Sequence, residues 1–217
     1  MLYLYLNLIF TYTILSIITV LIDLYPTYSE YLGFTKKSKN IRTVINIIKK
    51  TIYTVFMNVF IYSIPFIYIT TYFLNLRNKH FSYFDTIKDL FISSFLIDVF
   101  FYFTHYLLHN KYLYKFHKKH HEIKNPIGMS ALYSHIIDFY FTNLLPVVLP
   151  MIILSSTYTT IHLWIFLTIF NTIFISHTSY EEISDFHLNH HKYTNYNYGA
   201  GELIDKIFGT HYNYKNK

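Results

Sequence analysis

The chain contains no cysteine, which excludes disulfide bonds, thiolate metal sites and cysteine nucleophiles. Charged residues are also scarce: they make up 14% of the 217 residues, whereas soluble domains carry about 25%. Glycine and proline each occur only five times. The shortage of charge indicates a membrane protein. The lack of cysteine means that any metal must be bound by histidine and carboxylate side chains.

Long apolar runs are the most prominent feature of the sequence. Hydrophobic residues form 53% of the chain, and the mean hydropathy is +0.25. Each run approaches the roughly 20 residues that a membrane-spanning helix needs. We therefore predict an all-α integral membrane bundle of four or five transmembrane helices. The first run lacks a preceding basic segment, so we expect a retained anchor rather than a cleaved signal peptide. The runs cover Leu2–Leu24, Thr51–Leu74, Leu90–Leu108, Ile136–Ser156 and Thr160–Ser176.

The basic residues predict how the bundle is oriented. With five spans, fifteen of the 18 Lys and Arg residues fall on one face, in the segments after the first and third runs and in the C-terminal tail. The positive-inside rule makes this face cytoplasmic. Loops that face anionic lipid headgroups then explain the net charge of +6. We expect the membrane, and no nucleic acid, as the partner of this basic surface.

Thirteen histidines are present, and their spacing is more informative than their number. Three boxes occur in the order HYLLH, HKKHH and HLNHH. Residues three and four apart lie on one face of a helix, so each box can direct two or three imidazoles at one point. Two single histidines stand at the same face, at the ends of the last two predicted spans. We predict that ten imidazoles converge there as candidate metal ligands: His105, His109, His117, His120, His121, His135, His177, His187, His190 and His191. Taken singly, His135 and His177 are also compatible with ordinary histidines at helix ends.

Ten imidazoles exceed the needs of one tetrahedral zinc ion, which takes four ligands, so the set indicates two metal ions. Neutral imidazole binds iron, zinc, copper and nickel. We predict two ferrous ions, because an iron pair can activate dioxygen whereas zinc has no redox chemistry. Zinc can replace iron in purified protein. Three histidines are left out of the site. His80 lies in the opposite loop, His162 lies roughly 22 Å of helix from His177, and His211 lies in the tail.

A polar stripe follows the third apolar run. Its members follow one another at intervals of three or four residues, which places them on one helix face. They are Ser94, Asp98, Tyr102, His105 and His109. Ionisable groups inside a membrane are costly and usually face a functional interior. Asp98 lies about two turns, or roughly 10 Å, before His105. We predict that Asp98 either supports the geometry of the ligands or makes a polar contact inside the helix bundle, and that it does not bind the metal itself.

These motifs resemble those of the fatty acid hydroxylase and sterol desaturase superfamily, which carries the boxes HxxxH, HxxHH and HxxHH in this order. The stretch DVFFYFTHYLLHNKYLYKFHKKHH is similar to the family pattern D-x-x-x-Y-x-x-H-R-x-x-H followed by F-H-x-x-H-H. Three further stretches resemble later segments of the family pattern, namely YSHIID, HTSYE and HLNHHKYTNYNYGAGELIDKIFGT. The resemblance covers about Asp98–Thr210. Tyr106 replaces the usual Arg, Ile136 replaces the usual Pro, and the loop around NYNYGAGELID is short.

The resemblance implies a lipid oxygenase with a cytosol-facing di-iron site. Its ligands would be the histidines of the three boxes together with His177, and His135 matches a recurrent histidine of the family. Dioxygen would be the co-substrate, with electrons from NAD(P)H through a reductase or a b-type cytochrome. The substrate would be a lipid of the bilayer, a sterol or a fatty acyl chain, which is hydroxylated or desaturated. The resemblance also implies residence in the endoplasmic reticulum.

The resemblance suggests how the chain is divided. We expect membrane anchor helices over residues 1–89 and a fatty acid hydroxylase-like catalytic region over residues 90–217, within a single domain. Two other interpretations are considered. A metal transporter would need ligands at mid-membrane in discontinuous helices, whereas the boxes lie at one predicted face. A catalytically inactive homologue would act as a structural partner, but all three boxes are complete.

Overall fold

The computed structural model describes residues 1–25, 40–75, 80–178 and 181–212, and the regular secondary structure of these residues is entirely helical. This confirms the all-α prediction. The long helices are α1 (Leu2–Leu24), α2 (Ile41–Phe56, continued by Met57–Tyr62 and Ser63–Asn75), α3 (Tyr83–Leu108), α4 (Ile136–Asp138, Phe139–Leu144 and Leu145–Leu154) and α5 (Tyr158–Phe170 and Asn171–Ser176). The short helices are Tyr114–His117, His120–Glu122 and Gly128–Ser130 before α4, and α6 (Glu181–Lys192) and α7 (Leu203–Phe208) after α5.

Among the residues that the structure describes, five helices are long and apolar enough to cross a membrane, which favours the five spans over the four. Two of them begin at least seven residues before their apolar runs, at Ile41 and at Tyr83. In both cases a polar side chain caps the helix: Asn40 accepts a hydrogen bond from the backbone of Arg42, and Ser82 accepts one from the backbone of Asp85. An apolar run therefore marks the part of a helix suited to the lipid, while its capping residue marks where the helix starts.

The bundle presents apolar side chains outward as well as inward. Tyr83 and Phe91 on α3 are both 79% exposed, as suits a surface that faces lipid. Inside, one core cluster joins α1, α2, α4 and α5, with Phe139 and Ile173 almost completely buried in it. Because lipid offers no water to expel, packing and internal hydrogen bonds hold such helices together.

A helical cap covers one end of the bundle. It consists of the segment between α3 and α4 and the segment after α5. The hydroxyl of Tyr12 in α1 donates to the carbonyl of Met129 at 2.7 Å, and the amide of Asn58 in α2 donates to the carbonyl of Leu132 at 2.9 Å. A Cβ atom on Gly128 would lie 2.5 Å from the Thr19 hydroxyl, so only glycine allows the cap to approach α1 this closely. The two N-terminal helices thus support the cap directly.

Parts of α2, α4 and α5 are π-helical. Such segments are rare and are often found at functional sites, because they widen the helix and redirect backbone groups. The π-helical segment of α4 begins directly after Asp138, and that of α5 ends one residue before His177. Both segments lie at the end of the bundle that carries the cap.

Candidate metal centre

Nine of the ten predicted ligands lie together where α3 and α5 meet the cap. The first box stands at the end of α3, the second on the turns that follow it, and the third on α6, while His177 follows the last residue of α5. In each of two groups, one nitrogen atom from every member lies within 4.8 Å of the nitrogen atoms of all the others. The first group is His105, His109, His117, His121 and His190, and the second is His120, His177, His187 and His191.

In the first group, several Nε2 atoms lie unusually close to one another. Nε2 of His117 lies 2.9 Å from Nε2 of His105 and 3.0 Å from Nε2 of His121. Nε2 of His190 lies 3.1 Å from Nε2 of His121 and 3.1 Å from Nε2 of His109. Imidazole binds a metal such as zinc at about 2.0–2.1 Å, so two ligands at right angles are roughly 3 Å apart. The observed distances suit neighbouring ligands of one ion.

The second group lies directly beside the first, since the consecutive residues His120 and His121 belong to different groups. Nε2 of His187 lies 3.2 Å from Nε2 of His191. The ring centroids of His120 and His191 are 4.7 Å apart, and those of His177 and His187 are 4.6 Å apart. The ring centroid of His191 is also 4.9 Å from that of His121 in the first group. Ions in the two groups would therefore be neighbours.

Backbone carbonyls fix the orientation of three of the imidazoles. In each case Nδ1 contacts a carbonyl oxygen, which can only accept a hydrogen bond, so Nδ1 must carry the hydrogen. In the neutral ring, Nε2 is then left with a free lone pair, which is the form that a metal ligand needs. The pairs are His105 with Tyr198 at 2.7 Å, His177 with Thr172 at 2.7 Å and His190 with Tyr196 at 2.6 Å.

A carboxylate fixes a fourth imidazole. Nδ1 of His117 donates to Oδ2 of Asp138 at 2.9 Å, and the side chains of the two residues are only 3% and 1% exposed. Thr142 donates a second hydrogen bond, at 2.7 Å, to the other carboxylate oxygen. Asp138 and Thr142 lie one turn apart on α4, so the beginning of this helix aims the carboxylate at His117.

The arrangement of nitrogen atoms fits a metal centre. Nε2 of His105 and Nε2 of His117 face each other at 2.9 Å, although Nδ1 of each ring is already the hydrogen donor. Two lone pairs at this distance repel each other unless a cation lies between them. In the second group, Nε2 of His177 is buried and has no hydrogen-bond partner among the described residues. Buried polar atoms without partners are rare in proteins, and a bound metal ion would satisfy this one.

Burial keeps these imidazoles neutral. It lowers the pKa of His177 from its ordinary value of 6.5 to about 4. Burial also lowers the pKa of His109 to about 3, with a smaller contribution from the charge of His117. The pKa of His190 lies well below its ordinary value, first because of burial and then because of His109. Since protonation of a buried imidazole is costly, the lone pairs stay available to a metal at neutral pH.

Asp98 is connected to the histidines through the backbone of the loop that follows α6. Its carboxylate accepts hydrogen bonds from the backbone N–H groups of Gly201, at 2.9 Å, and Ile204, at 3.3 Å. Asp98 is buried, whereas Ser94, which was predicted on the same stripe, is exposed. The structure thus shows Asp98 supporting the loop that follows α6.

A second carboxylate holds the other end of this loop. Asp205 in α7 accepts hydrogen bonds from the backbone N–H groups of Tyr198, at 2.9 Å, and Gly199, at 2.6 Å. A Cβ atom on Gly199 would lie 2.5 Å from Oδ1 of Asp98, so glycine is needed where the two carboxylates approach the loop. The carbonyl of Tyr198 receives the hydrogen bond of His105. Asp98 and Asp205 therefore position the imidazole of His105 through the loop.

The structure does not bring His135 into either group. Its Nδ1 accepts a hydrogen bond from the backbone of Ile137 at 3.2 Å and so caps α4, and its ring packs against Phe116. His80, His162 and His211 also lie outside both groups. His135 follows the pattern of a helix cap, a role that its position immediately before the fourth apolar run could have suggested.

Sequence reasoning missed the groups that orient the imidazoles. Asp138 had a recognisable signal, because it is a carboxylate at the start of an apolar span, where an ionised group is costly. Asp205 is part of the motif GELID, but its spacing from the boxes does not indicate which backbone groups it binds. The carbonyls of Thr172, Tyr196 and Tyr198 have no signal in the sequence, since every residue has a carbonyl.

A cavity of about 770 Å³ extends from the histidines into the bundle. Its size is within the range of about 300–1,000 Å³ that is usual for ligand sites. His105 and His177 line one end of the cavity, and Ile67 and Trp164 are among the residues that line it further inside. The two histidine groups therefore adjoin a largely apolar space inside the membrane-spanning part of the molecule.

Comparisons with known proteins agree with these features. The sequence model of the fatty acid hydroxylase family matches residues 90–210. The chain is 37% identical to fatty acid hydroxylase domain-containing protein 2 of Homo sapiens over 127 residues, which is 56% of the chain and 38% of that protein. It is 32% identical over 138 residues to a very-long-chain aldehyde decarbonylase of Oryza sativa subsp. indica, covering 56% of the chain and 51% of the relative.

A putative methylsterol monooxygenase of Dictyostelium discoideum is 30% identical over 134 residues, which is 55% of the chain and 49% of the relative. The chain thus spans about a third to a half of the length of these relatives. No solved structure matches the chain.

Proposed function

This chain belongs to the fatty acid hydroxylase family, and we propose that it is a membrane-bound non-haem di-iron oxygenase that hydroxylates or desaturates a lipid. The observation that carries the proposal is the pair of adjacent imidazole groups at the end of an apolar cavity. The names of its relatives refer to fatty acids, very-long-chain aldehydes and methylsterols, so a sterol or a fatty acyl chain is the expected substrate.

The two histidine groups would hold two ferrous ions, which supply the activation of dioxygen when they are bound. Electrons would come from NAD(P)H through a reductase or a b-type cytochrome. The protein contributes orientation and exclusion of water. Asp138 and the carbonyl of Tyr198 hold two of the imidazoles in place, and the apolar cavity wall keeps water away from the carbon that reacts.

We propose that the histidines face the cytoplasm of the cell and that the protein resides in the endoplasmic reticulum. Exposed lysines surround the histidine end of the bundle, including Lys111, Lys115, Lys118 and Lys192. This distribution is what the positive-inside rule expects of a cytoplasmic face. An electron-transfer protein of the cytoplasmic side could then approach the metal centre from the cap.

Metal transport is the alternative from a different functional class. A transporter needs ligands near the middle of the membrane. Here both histidine groups lie at one end of the bundle, and the cavity continues from them between mainly apolar side chains such as Ile67, Val147 and Trp164. Such a wall suits a lipid tail much better than a metal ion, which favours the oxygenase.

The two functions can be separated in one preparation. Membrane vesicles containing the protein are supplied with lipid extract, NADPH and a reductase system, and lipid products are measured by mass spectrometry with and without dioxygen. Uptake of radioactive zinc is measured in parallel. We expect a lipid product that depends on dioxygen and is lost in His190→Ala, with no zinc uptake. Zinc uptake without any oxidised lipid would show that the proposal is wrong.

A further inference from the structure

Three tyrosines connect the histidines to the surface of the bundle. The ring of Tyr198 is 5% exposed, and its centroid lies 5.1 Å from that of His109 and 5.6 Å from that of His190. The ring of Tyr106, which is 53% exposed, stands edge-on to Tyr198 at 5.1 Å. The ring of Tyr102 lies 5.9 Å from that of Tyr106 and 6.1 Å from that of Tyr198. Such separations are typical of aromatic rings in direct contact, so the three tyrosines contact one another.

The hydroxyl of Tyr102 has a proton acceptor beside it. The side chain is buried, and its hydroxyl oxygen lies 3.2 Å from that of Thr210. Thr210 in turn donates to Oδ1 of Asp205 at 2.6 Å. A threonine hydroxyl has one hydrogen and an ionised carboxylate can only accept, so the hydrogen of Thr210 points to Asp205 and that of Tyr102 points to Thr210. A proton can therefore leave Tyr102 along two hydrogen bonds to a carboxylate.

Tyrosine is the easily oxidised side chain that contacts the histidines. Phenols, indoles and thiols give up an electron more readily than most other side chains, and the chain has no cysteine. Its single tryptophan, Trp164, packs in a cluster with Leu4 and Ile67, whereas Tyr198 contacts the imidazoles themselves. An oxidant formed at the histidine groups therefore meets a tyrosine first.

Tyr114 also contacts the histidines and serves as a comparison. Its ring lies 5.5 Å from that of His109 and 6.1 Å from that of His121. Among the described residues, however, it contacts no other tyrosine ring. Tyr198 has two tyrosine neighbours, and one of them is exposed. Oxidation of Tyr198 can therefore be passed on to the surface, whereas oxidation of Tyr114 would stay beside the ligands.

Tyr106 gives these tyrosines access to water. It lies in the last turn of α3, next to the cap. Tyrosine is common at such positions, where the ring lies in the membrane interface and the hydroxyl reaches water. A water-soluble reductant can therefore reach the exposed ring of Tyr106 although Tyr102 and Tyr198 are buried.

We propose that Tyr198, Tyr102 and Tyr106 form a relay that reduces the oxidised iron at the histidine groups when no lipid is in reach, and that the relay so protects the ligands. One electron passes from Tyr102 through Tyr198 to the iron. The O–H bond of Tyr102 breaks, its proton passes to Thr210, and the proton of Thr210 passes to Asp205. The products are a neutral radical on Tyr102, a protonated Asp205 and iron reduced by one electron.

A second step restores the relay. A water-soluble reductant such as ascorbate returns one electron through Tyr106, and the proton moves back from Asp205 through Thr210 to Tyr102. The source of the oxidant, iron that has reacted with dioxygen, rests on the proposed function. The path between the three tyrosines rests on their contacts alone.

Electron paramagnetic resonance of the iron-loaded full-length chain tests the relay. Ferrous protein in detergent is mixed with dioxygen without added lipid and frozen, and ring-deuterated tyrosine identifies a tyrosyl radical by the narrowing of its signal. We expect a radical that is lost in Tyr102→Phe and in Tyr198→Phe, which keep the ring and remove the hydroxyl. The control Tyr112→Phe, at a side chain that is 71% exposed, should keep it. A radical that persists in both relay variants, or that is lost only in Tyr114→Phe, would overturn the proposal.

Dioxygen consumption is measured in the same samples. Consumption without a radical, or consumption only when lipid extract is present, would also overturn the relay. Absence of consumption both with and without lipid extract would contradict the oxygenase function instead, and the relay is then decided by a measurement that needs no iron.

That measurement oxidises metal-free protein from outside. A photo-excited ruthenium complex with persulfate takes electrons from exposed tyrosines, including Tyr106, and Tyr102 should then become the site of a long-lived radical because its proton moves to Asp205. We expect the long-lived radical to be lost in Tyr102→Phe and to decay faster in Thr210→Val, with no change in Tyr112→Phe. If the three tyrosines only pack against one another, all these variants keep the wild-type radical and its lifetime, which would overturn the proposal.

Discussion

Replacement of Asp138 by asparagine should weaken metal binding without removing any ligand. The carboxylate accepts the hydrogen bond of His117 Nδ1 at 2.9 Å, and both side chains are almost fully buried. A hydrogen bond to a charged group contributes about 1.5–3 kcal/mol, which corresponds to roughly ten- to a hundredfold in affinity. The same range is typical when the partner of a metal-binding histidine is changed. We therefore expect Asp138→Asn to bind metal ten- to a hundredfold more weakly than the wild type.

The assay is an anaerobic titration of metal-free protein with ferrous iron against a competing chelator. Asp89→Asn is the matched control, because Asp89 is also a buried carboxylate on a spanning helix but accepts its hydrogen bond from Ser156, which lies just after α4, at the end away from the histidines. Wild-type affinity in the control combined with weaker binding in Asp138→Asn supports the reasoning. Wild-type affinity in Asp138→Asn, or equal losses in both variants, would refute it.

Three further predictions follow from the same geometry. Asp98→Asn should keep most of its metal but lose much of its turnover, measured as lipid product, because Asp98 acts through the loop at Gly201; full turnover would make it a packing residue only. His135→Ala should keep the wild-type metal content, with a loss of stability of up to about 1 kcal/mol from the missing cap, whereas His191→Ala should lose metal. In metal-free protein the folded-state pKa of His177, about 4, lies below the unfolded value of about 6.5, so its contribution to stability is complete above pH 6.5. His177 alone should contribute about 3 kcal/mol of loss as the pH falls from 6.5 to 4, and the other buried imidazoles add to it. A total loss below this value in denaturant titrations would contradict the burial of this imidazole.

Much of the fold can be predicted from the sequence, because a membrane allows few backbone conformations. A long apolar run in a membrane must form a helix, since lipid offers no partners for backbone groups, and all five predicted runs lie in helices that are long and apolar enough to span a membrane. The starts of α2 and α3 were less predictable. They depend on the capping residues Asn40 and Ser82, which lie outside the apolar runs.

The site was predictable to the extent that it depends on helical spacing. Spacings of three and four residues place the members of a box on one face, which is why His105 and His109 point to the same group. Spacing does not determine which members of different boxes share a metal. The neighbours His120 and His121 belong to different groups, as do His190 and His191, because adjacent residues of a helical turn point about 100° apart. Tertiary packing then decides which residues of different boxes meet.

Metal stoichiometry tests the central claim, that two adjacent histidine groups each hold one ion. Wild-type protein, His190→Ala from the first group and His120→Ala from the second are loaded anaerobically with ferrous iron, and bound metal per chain is determined after removal of the excess. We predict two ions in the wild type and loss of one ion in each single variant, with both ions lost when the substitutions are combined. A wild type that binds a single ion, or single variants that both retain two, would contradict the account.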